Sequence, residues 1–413
     1  MKQAIDLALA PDAAARTDLA RQFTAQSRTR ADQARAALLP NVDAAVTTQN
    51  FTRSLAAFGV RSPIPSVSFP EVVGPLTVFD GRASLTQTIF DFAAIRRYQA
   101  AKASIDAASA EEDAARETVA AQVARAYLAA LRTAAAVDAA QANANLAEEN
   151  ARRADRLKNA GTATGIDVTR AQVEAAAASQ RLLAARNSQR RAELTLLRVI
   201  GSDMSATVQL TDALSFVAPD AVPVEDSIRT AQATRADLEA QSRRRAAADL
   251  TYQSVRAERY PSLAAFADAG NIGLSLGETR FTRTAGLSLR VPLFDGGRRD
   301  ARRTEAAIAL RTEDIRARDI RRQIELEVRA AYEDLDSAAG QVKVAEEALT
   351  LATRESEQAQ RRFDAGIATN IEVIDAQTRL ARARDSRTDA LYLHNLAKIE
   401  LASATGVLVR IVQ

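Results

Sequence analysis

Two similar segments decide how this chain is read: AGTATGIDVTRAQ at residues 160–172 and AGIATNIEVIDAQ at residues 365–377. They lie 205 residues apart in a chain of 413 residues, and the same offset relates Gly201 to Gly406. One offset that holds over so long a stretch indicates a duplicated half rather than a shared local motif. Such a repeat has to be recognised before a fold is assigned.

The chain is therefore predicted to contain two structural repeats, residues 1–206 and 207–413. In each repeat a helical stretch ends at a proline, which forbids helix continuation. Two strands follow, and then a long helix, a turn and a return helix. The opening helices are predicted at residues 2–37 and 224–259.

The strands are shorter and less sharply patterned than the helices. The clearest lies in AGLSLRVPLFDGG, where Leu287, Leu289, Val291 and Leu293 recur at every second position. A proline-rich loop that begins at Phe58, FGVRSPIPSVSFPEVVGP, separates the first two strands. The four strands are expected near residues 41–51, 82–91, 262–274 and 284–294.

Two long helices are predicted at residues 93–159 and 298–364, which contain no proline and almost no glycine. At 1.5 Å per residue each would reach about 100 Å. Apolar residues of the second helix step by four and three, which is typical of a coiled-coil seam. The seam consists of Ile320, Ile324, Val328, Ala331, Leu335, Ala338, Val342, Ala345, Leu349 and Ala352.

A partial second seam runs along the same helix through Ala330, Val344, Ala348 and Leu351. Two apolar stripes on one helix imply two helix neighbours, as in a barrel of helices.

The repeated segments themselves are predicted to be turns between antiparallel helices. Gly161 and Gly366 suit the left-handed position that ends a helix. Thr164 and Thr369 can cap the return helices, and an acid three residues later completes a capping box in each case. These acids are Asp167 and Glu372.

Composition excludes several classes of function. The net charge of +3 arises from 55 basic and 52 acidic residues that are interspersed, whereas a nucleic-acid interface concentrates its basic residues. Cysteine is absent, so disulfides and thiolate metal sites are excluded. The one histidine, His394, lies on a return helix, and no phosphate-binding or metal-binding motif accompanies it. We predict no enzyme activity, no cofactor, no metal and no nucleic-acid partner.

Membrane signals point in two directions. No run of 18 apolar residues predicts a membrane-spanning helix, and MKQAIDLALA lacks the charged and apolar blocks of a signal peptide. Four strands cannot close a barrel, and an open sheet in lipid would leave backbone groups unpaired. Closed membrane barrels start at about eight strands. If the strands enter a bilayer, the chain has to form a dimer, a trimer or a larger oligomer.

The order of elements, the FDGG segment, the AGxAT turn and their duplication together resemble the TolC-like outer-membrane efflux proteins. The resemblance extends from QAIDLALA at Gln3 to ATG at residues 404–406. It implies a trimer whose helices form an α-barrel, continuous with a β-barrel of four strands per chain in outer-membrane lipid. It also implies a periplasmic adaptor (a membrane fusion protein) and an inner-membrane pump, such as an RND or ABC transporter, as partners.

The resemblance also assigns residues. Glu372 and Asp375 fall where the family lines its periplasmic mouth with acids, and Asp167 and Arg170 are their counterparts in the first repeat. Glu372 as a helix cap and Asp375 as an exposed helix acid remain open alternatives.

Phe363 falls where the best-known member has a gate-latching tyrosine, and Ala368 where that member has an arginine. We therefore expect a gate that is held differently. The turn tips match the family's adaptor-docking tips. They are Ala160, Gly161, Thr162, Ala365, Gly366 and Ile367.

The FDGG segment, Phe294, Asp295, Gly296 and Gly297, is interpreted as a bend between strand and helix. The resemblance thus implies a passive outer-membrane channel subunit of a Gram-negative efflux or type I secretion system that extends into the periplasm. The recorded start is expected to lie downstream of a missing signal peptide. The alternative is a soluble periplasmic adaptor or coiled-coil scaffold.

Overall fold

Long helices and one small antiparallel sheet make up the chain. The computed structural model describes residues 1–55, 57, 59, 70–218 and 222–409. The predicted mainly helical fold with four strands is confirmed. In chain order the elements are α1 (Lys2–Leu9), α2 (Ala15–Ala36), β1 (Asn41–Ser54), β2 (Val72–Asp91), α3 (Phe92–Asn159), α4 (Gly165–Ile200), α5 (Val224–Thr234), α6 (Ala236–Ala257), β3 (Ser262–Gly273), β4 (Arg280–Arg290), α7 (Arg298–Asp364) and α8 (Asn370–Ala404).

The chain divides into two compact units, and each unit draws residues from both predicted repeats. The first unit contains Met1–Thr24, Ala108–Ser242 and Ile315–Gln413. The second contains Ala25–Ala107 and Arg243–Asp314. The repeat therefore describes the order of elements along the chain, whereas the units describe how the elements pack.

The helical unit is built on α3 and α7. The predicted seam of α7 faces inward, with Ile324, Val328 and Val342 almost fully buried. The partial second seam is uncovered in the single chain, since Val344 and Leu351 are 67% and 57% exposed. The α7 helix thus has one packed apolar stripe and one without a neighbour.

The largest apolar cluster of this unit brings several helices together. Ile5 of α1 packs with Val123 of α3, Leu196 of α4 and Ile399 of α8. Many of the other buried members are alanines, which allow helix backbones to approach closely. This packing explains how a chain with only 4% aromatic residues holds long helices together.

The two opening helices are broken, and the prediction of continuous helices at 2–37 and 224–259 was wrong. The first break follows α1, where Pro11 lacks a backbone donor. The second is at Arg235, whose guanidinium is held by Asp237 and Glu327.

Each break accommodates the glycine that ends a return helix. Gly201 and Gly406 both have positive φ, 79° and 68°. A Cβ atom on Gly201 would lie 1.9 Å from the carbonyl oxygen of Ala13, and one on Gly406 would lie 3.1 Å from the Cα of Arg235. The repeated glycines therefore mark equivalent sites of close backbone approach.

We predict that Gly201→Ala lowers the free energy of unfolding by about 3 kcal/mol or more, since it combines a left-handed backbone with a steric overlap. Gly161→Ala is the matched control. Gly161 also has a positive φ but has open space around its Cα, so this change should cost only about 1–2 kcal/mol. Thermal unfolding followed by circular dichroism gives both values, and equal losses would contradict the close approach at Gly201.

The strands pair in the order β1-β2-β3-β4. Two predicted strand bounds need correction. The strand expected near 82–91 begins at Val72, because a register shift between Phe51 and Arg53 of β1 lets pairing continue past Pro75. The strand expected near 284–294 covers Arg280–Arg290, because β3 begins at Ser262 and leaves residues 291–294 without a partner in this chain. Residues 60–69 of the predicted proline-rich loop lie outside the described residues.

The sheet has two chemically different faces. Residues directly opposite one another in antiparallel strands share a face, so the register assigns every paired residue. The polar face carries Arg82, which binds Asp80 at 2.7 Å and Asp268 at 2.9 Å. Its other polar members include Asp43, Thr47, Gln49, Ser84, Thr86, Arg280, Thr282, Thr284 and Ser288.

We call the opposite side the apolar face. It includes Val42, Ala44, Val46, Thr48, Asn50, Thr77, Phe79, Gly81, Ala83, Leu85, Gln87, Phe90, Leu263, Ala265, Ala267, Ala269, Asn271, Gly273, Phe281, Arg283, Ala285, Leu287 and Leu289. Such an alternation is typical of a sheet that separates lipid from water.

Candidate functional site

The candidate site is the end of the helical unit where the two turns lie. In the first turn the Thr162 amide donates to the Leu157 carbonyl at 2.9 Å, and in the second the Ile367 amide donates to the Arg362 carbonyl at 3.0 Å. Gly161 and Gly366 have φ of 83° and 71°. Both turns are thus left-handed helix ends with the same hydrogen bond.

Six residues at the tips were singled out from the sequence, and all are exposed: Ala160, Gly161, Thr162, Ala365, Gly366 and Ile367. Ile367 is 69% exposed and places an apolar side chain at the tip of the second turn.

The two return helices start differently, although their sequences predict the same cap. The Asp167 carboxylate accepts hydrogen bonds from the Thr164 amide at 3.1 Å and the Thr164 hydroxyl at 2.5 Å. These bonds, the hydroxyl first, hold the pKa of Asp167 below its ordinary value. At α8 the N-cap Thr369 has no side-chain cap hydrogen bond within the described residues, so the capping box predicted for Glu372 was wrong.

We predict that Asp167→Ala costs about 1 kcal/mol of local stability at neutral pH, whereas Glu372→Ala costs much less. Because the folded pKa of Asp167 is lowered, its stabilisation is present above the ordinary aspartate pKa near 4 and is lost as the pH falls through the folded value. Hydrogen exchange of the amides at residues 162–168 in the intact protein, compared at pH 7 and pH 3, tests this. A cost of Asp167→Ala that is as large at pH 3 as at pH 7 would contradict the assignment.

Both predicted mouth acids are exposed on the first turns of α8, and each lies near an arginine. Glu372 is 3.8 Å from the guanidinium of Arg362. Asp375 lies near Arg379, whose guanidinium binds Glu355 at 2.7 Å. Exposed ion pairs of this kind contribute little to stability. The acids are therefore left available to solvent and ions.

Phe363 lies in the interior of the second turn. It is buried with Ala359, Val373 and Ala376, and Ala368 packs beside this cluster. An apolar ring in this position cannot donate or accept a latching hydrogen bond, so its contribution here is packing.

A buried polar contact connects the two hairpins, and the sequence analysis missed it. Asn150 of α3 donates to the side-chain oxygen of Asn370 at 3.2 Å, and Asn370 donates to the Asp167 carbonyl at 3.0 Å. Both asparagines are almost fully buried. Beside them Arg153 of α3 binds Asp364 of α7 at 3.0 Å. The only signal in the sequence is an asparagine at the first position of α8, where the first repeat has glycine.

We predict that Asn370→Ala costs about 1–3 kcal/mol, because it leaves the Asp167 carbonyl and the Asn150 amide buried without their partner. Asn145→Ala removes an exposed amide from a different face of the same helix and should cost less than about 0.5 kcal/mol. A double-mutant cycle of Asn150→Ala and Asn370→Ala, read by thermal unfolding, measures the coupling between them. A coupling free energy of zero would contradict the contact.

The FDGG segment lies between β4 and α7. The Asp295 carboxylate accepts from the Arg299 amide at 3.1 Å, and Gly296 and Gly297 have φ of 69° and 87°. Phe294 is 89% exposed. The segment thus turns the chain from strand to helix and leaves an aromatic side chain uncovered.

An apolar groove lies between α4 and α8 just behind the tips. Its lining includes Val173, Ile371 and Ile374, with Thr169, Arg170 and Glu174 at its edges. Val173 is 64% exposed. The sequence analysis did not single out this groove, because its residues come from different repeats and meet only through packing.

The single histidine has a structural position. His394 is fully buried, its Nε2 lies 2.9 Å from the Val217 carbonyl oxygen, and its ring packs on Phe216.

Within the described part of the chain, no helix has the length and hydropathy needed to span a membrane.

The family model for outer membrane efflux proteins matches residues 13–202 and 227–407, one segment in each predicted repeat. The chain belongs to this family, and the resemblance drawn from its sequence is confirmed.

Relatives of known structure show the same fold. The Campylobacter jejuni CmeC outer membrane channel has a TM-score of 0.82 and 17% identity, over 98% of this chain and 85% of its own. VceC, an outer membrane protein of Vibrio cholerae, has a TM-score of 0.78 and 20% identity, over 98% and 95%. The outer membrane protein TolC of Vibrio cholerae is 30% identical over 125 residues, which are 30% of this chain and 28% of that relative. That match therefore spans less than a third of TolC.

Proposed function

We propose that this chain is one subunit of a trimeric outer-membrane channel, the passive exit duct of a tripartite efflux or type I secretion system. Its strands form a β-barrel in outer-membrane lipid, and its helices form an α-barrel that extends into the periplasm of a Gram-negative cell. Membership of the outer membrane efflux family supports this function over an adaptor or a scaffold. The observation that carries the proposal is a two-faced sheet with two open edges.

The open edges require another copy of the chain in lipid. Strands β1 and β4 each pair on one side only. Unpaired backbone groups in a bilayer cost several kcal/mol each, so the edges have to pair. Four strands cannot close, whereas three copies supply twelve.

The sequence repeat predicts how the copies pair. The hairpins β1-β2 and β3-β4 have equivalent registers, with Asn41 opposite Thr86 and Ser262 opposite Arg290. The pairing of β2 with β3 joins the two repeats within one chain, and it serves as a template for β4 with β1 of the next copy. In this alignment of the repeats, Leu287 corresponds to Ala83 and Thr48 corresponds to Ala269. Since Ala83 lies opposite Ala269, the template places Leu287 opposite Thr48 of the neighbour. Both residues belong to the apolar face, so the faces remain continuous across the joint.

The same template gives residues 291–295 a partner. Phe90 of β2 pairs with Leu263 of β3. Because Phe294 corresponds to Phe90 and Val42 to Leu263, the template places the exposed Phe294 beside Val42 of the neighbour. The uncovered second seam of α7 supports contact between copies in the helical unit as well.

We predict that the double variant Leu287→Cys with Thr48→Cys forms a disulfide between copies. Opposed Cβ atoms in adjacent antiparallel strands are about 5 Å apart, close to the separation in disulfides. The natural chain has no cysteine, so the background is clean. Non-reducing electrophoresis of the membrane fraction should show dimers and covalent trimers.

The control for this cross-link is Leu287→Cys with Ala44→Cys, which keeps both cysteines on the apolar face but moves one by four residues along β1. That separation of about 13 Å is too large for a disulfide. Equal cross-linking by both pairs would contradict the register, and no cross-link from either pair would contradict barrel closure.

We further propose that Glu372 and Asp375 become rings of carboxylates at the periplasmic mouth when three copies assemble. Their solvent exposure on one end of α8 supports this placement. Rings of carboxylates attract cations and repel anions. The nearby Arg362 and Arg379 reduce this preference and leave it moderate.

We predict that Glu372→Gln with Asp375→Asn lowers the cation-to-anion permeability ratio of single channels by about twofold or more. Asp167→Asn changes the equivalent acid of the first repeat and is the control, because its carboxylate is already committed to Thr164. Reversal potentials in a salt gradient give the ratio. An unchanged ratio in the double variant would remove these acids from the conduction path.

The turn tips and the groove behind them are proposed to receive the helical hairpins of the periplasmic adaptor. The exposed Ile367 and the groove residues Val173 and Ile371 offer apolar contact, and the tight glycine turns permit close approach of another backbone. The pump lies beyond the adaptor in the inner membrane.

A further inference from the structure

One charged residue interrupts the apolar face of the sheet. Arg283 of β4 lies opposite Ala269 of β3, with Phe281 and Ala285 as its neighbours on the same face. Every other residue that the register places on this face is uncharged. A cation on a lipid-facing surface is unfavourable unless it reaches a polar partner.

The protein itself supplies no anion to this arginine. Arg283 forms no ion pair with the residues that the structure describes, and the nearby acid Asp268 lies on the polar face with Arg82. The inter-copy register places residues 48–54 of the neighbour beside it. That segment is TQNFTRS, which contains no carboxylate.

A shallow furrow on the apolar face leads from Arg283 across the sheet. It is lined by two adjacent rows of the apolar face and by Ser84, Asp268 and Thr284 of the row between them. The side chains of the two rows are those of Val42, Ala83, Leu85, Ala267, Ala269 and Ala285. The arrangement joins a guanidinium to a smooth apolar surface.

We propose that Arg283 and this furrow form a binding site for a phosphate-bearing lipid of the outer leaflet. The guanidinium binds the phosphate, which it can do through two parallel hydrogen bonds, and the furrow receives an acyl chain. This inference rests on the proposed function, which places the sheet in a bilayer.

The position of Arg283 in β4 specifies the leaflet. It is three residues from the strand end at Arg280, or about 10 Å along the strand, and a short loop joins that end to β3. At the opposite end of the sheet, β1 and β3 follow α2 and α6, and β2 and β4 lead into α3 and α7. If the helices are periplasmic, the loop end is extracellular, and the long arginine side chain reaches the outer headgroups.

The test compares lipid retention by trimers of three chains: wild type, Arg283→Gln and Arg280→Gln. Arg280→Gln is the matched control, because this variant removes the same charge from the same strand but from the polar face. Refolded trimers are incubated with diphosphorylated lipid A or with chemically dephosphorylated lipid A, and bound lipid is counted by native mass spectrometry. We expect Arg283→Gln to weaken retention of the phosphorylated lipid about tenfold, and Arg280→Gln to leave it unchanged.

A second readout separates binding from structure. Without phosphorylated lipid, Arg283→Gln should raise the unfolding midpoint, since it removes a charge from the lipid face. With phosphorylated lipid the order should reverse. Equal retention of the phosphorylated lipid by all three chains would overturn the proposal, and so would wild-type trimers that retain the dephosphorylated lipid as well as the phosphorylated one.

The trimer count in the same spectra tests the proposed function separately. Trimers that bind no phosphorylated lipid through Arg283 contradict the lipid site alone. Wild-type chains that never assemble contradict the channel and the lipid site together.

Discussion

The rest of the structure depends on the unpaired backbone edges of a four-stranded sheet. Each peptide unit carries a donor and an acceptor, and in lipid neither has water as a substitute partner. In the proposed channel, the free edges of β1 and β4 therefore have to pair with strands of another copy. The duplicated sequence suggests which strands would pair between copies, because β2 of the first repeat already pairs with β3 of the second repeat within one chain.

In the helical unit the constraint is close packing between long helices, and small residues satisfy it. Alanines line much of its interior, and the glycines at 201 and 406 end the return helices where another backbone passes closely. Small residues let long helices pack side by side without a large aromatic core. The stripe of α7 that remains exposed in one chain is then available to a neighbouring copy.

Sequence patterns predicted the elements that repeat and missed those that depend on packing. The limits of α3 and α7 follow from the absence of proline, and the inward seam of α7 follows from its spacing. The break at Arg235 has no proline or glycine in the sequence to predict it, and the ion pairs of Arg235 with Asp237 and Glu327 and its contact with Gly406 appear only in the folded chain.

The candidate site likewise combines features that the sequence predicts with features that depend on packing. Its tips follow from the glycines, whereas the Asn150–Asn370 contact and the groove behind the tips join residues that are distant in sequence. The two turns also diverge in detail, since Asp167 caps its helix and Glu372 does not. Glu372 lies 3.8 Å from Arg362 instead, an ion pair with a residue of the preceding helix that the local pattern does not predict.

The central claim is that one chain supplies a third of a closed barrel. Light scattering of the detergent-refolded particle, corrected for bound detergent, measures the protein mass directly. The account predicts a mass of three chains. A stable, folded monomer would leave both sheet edges open and would contradict it.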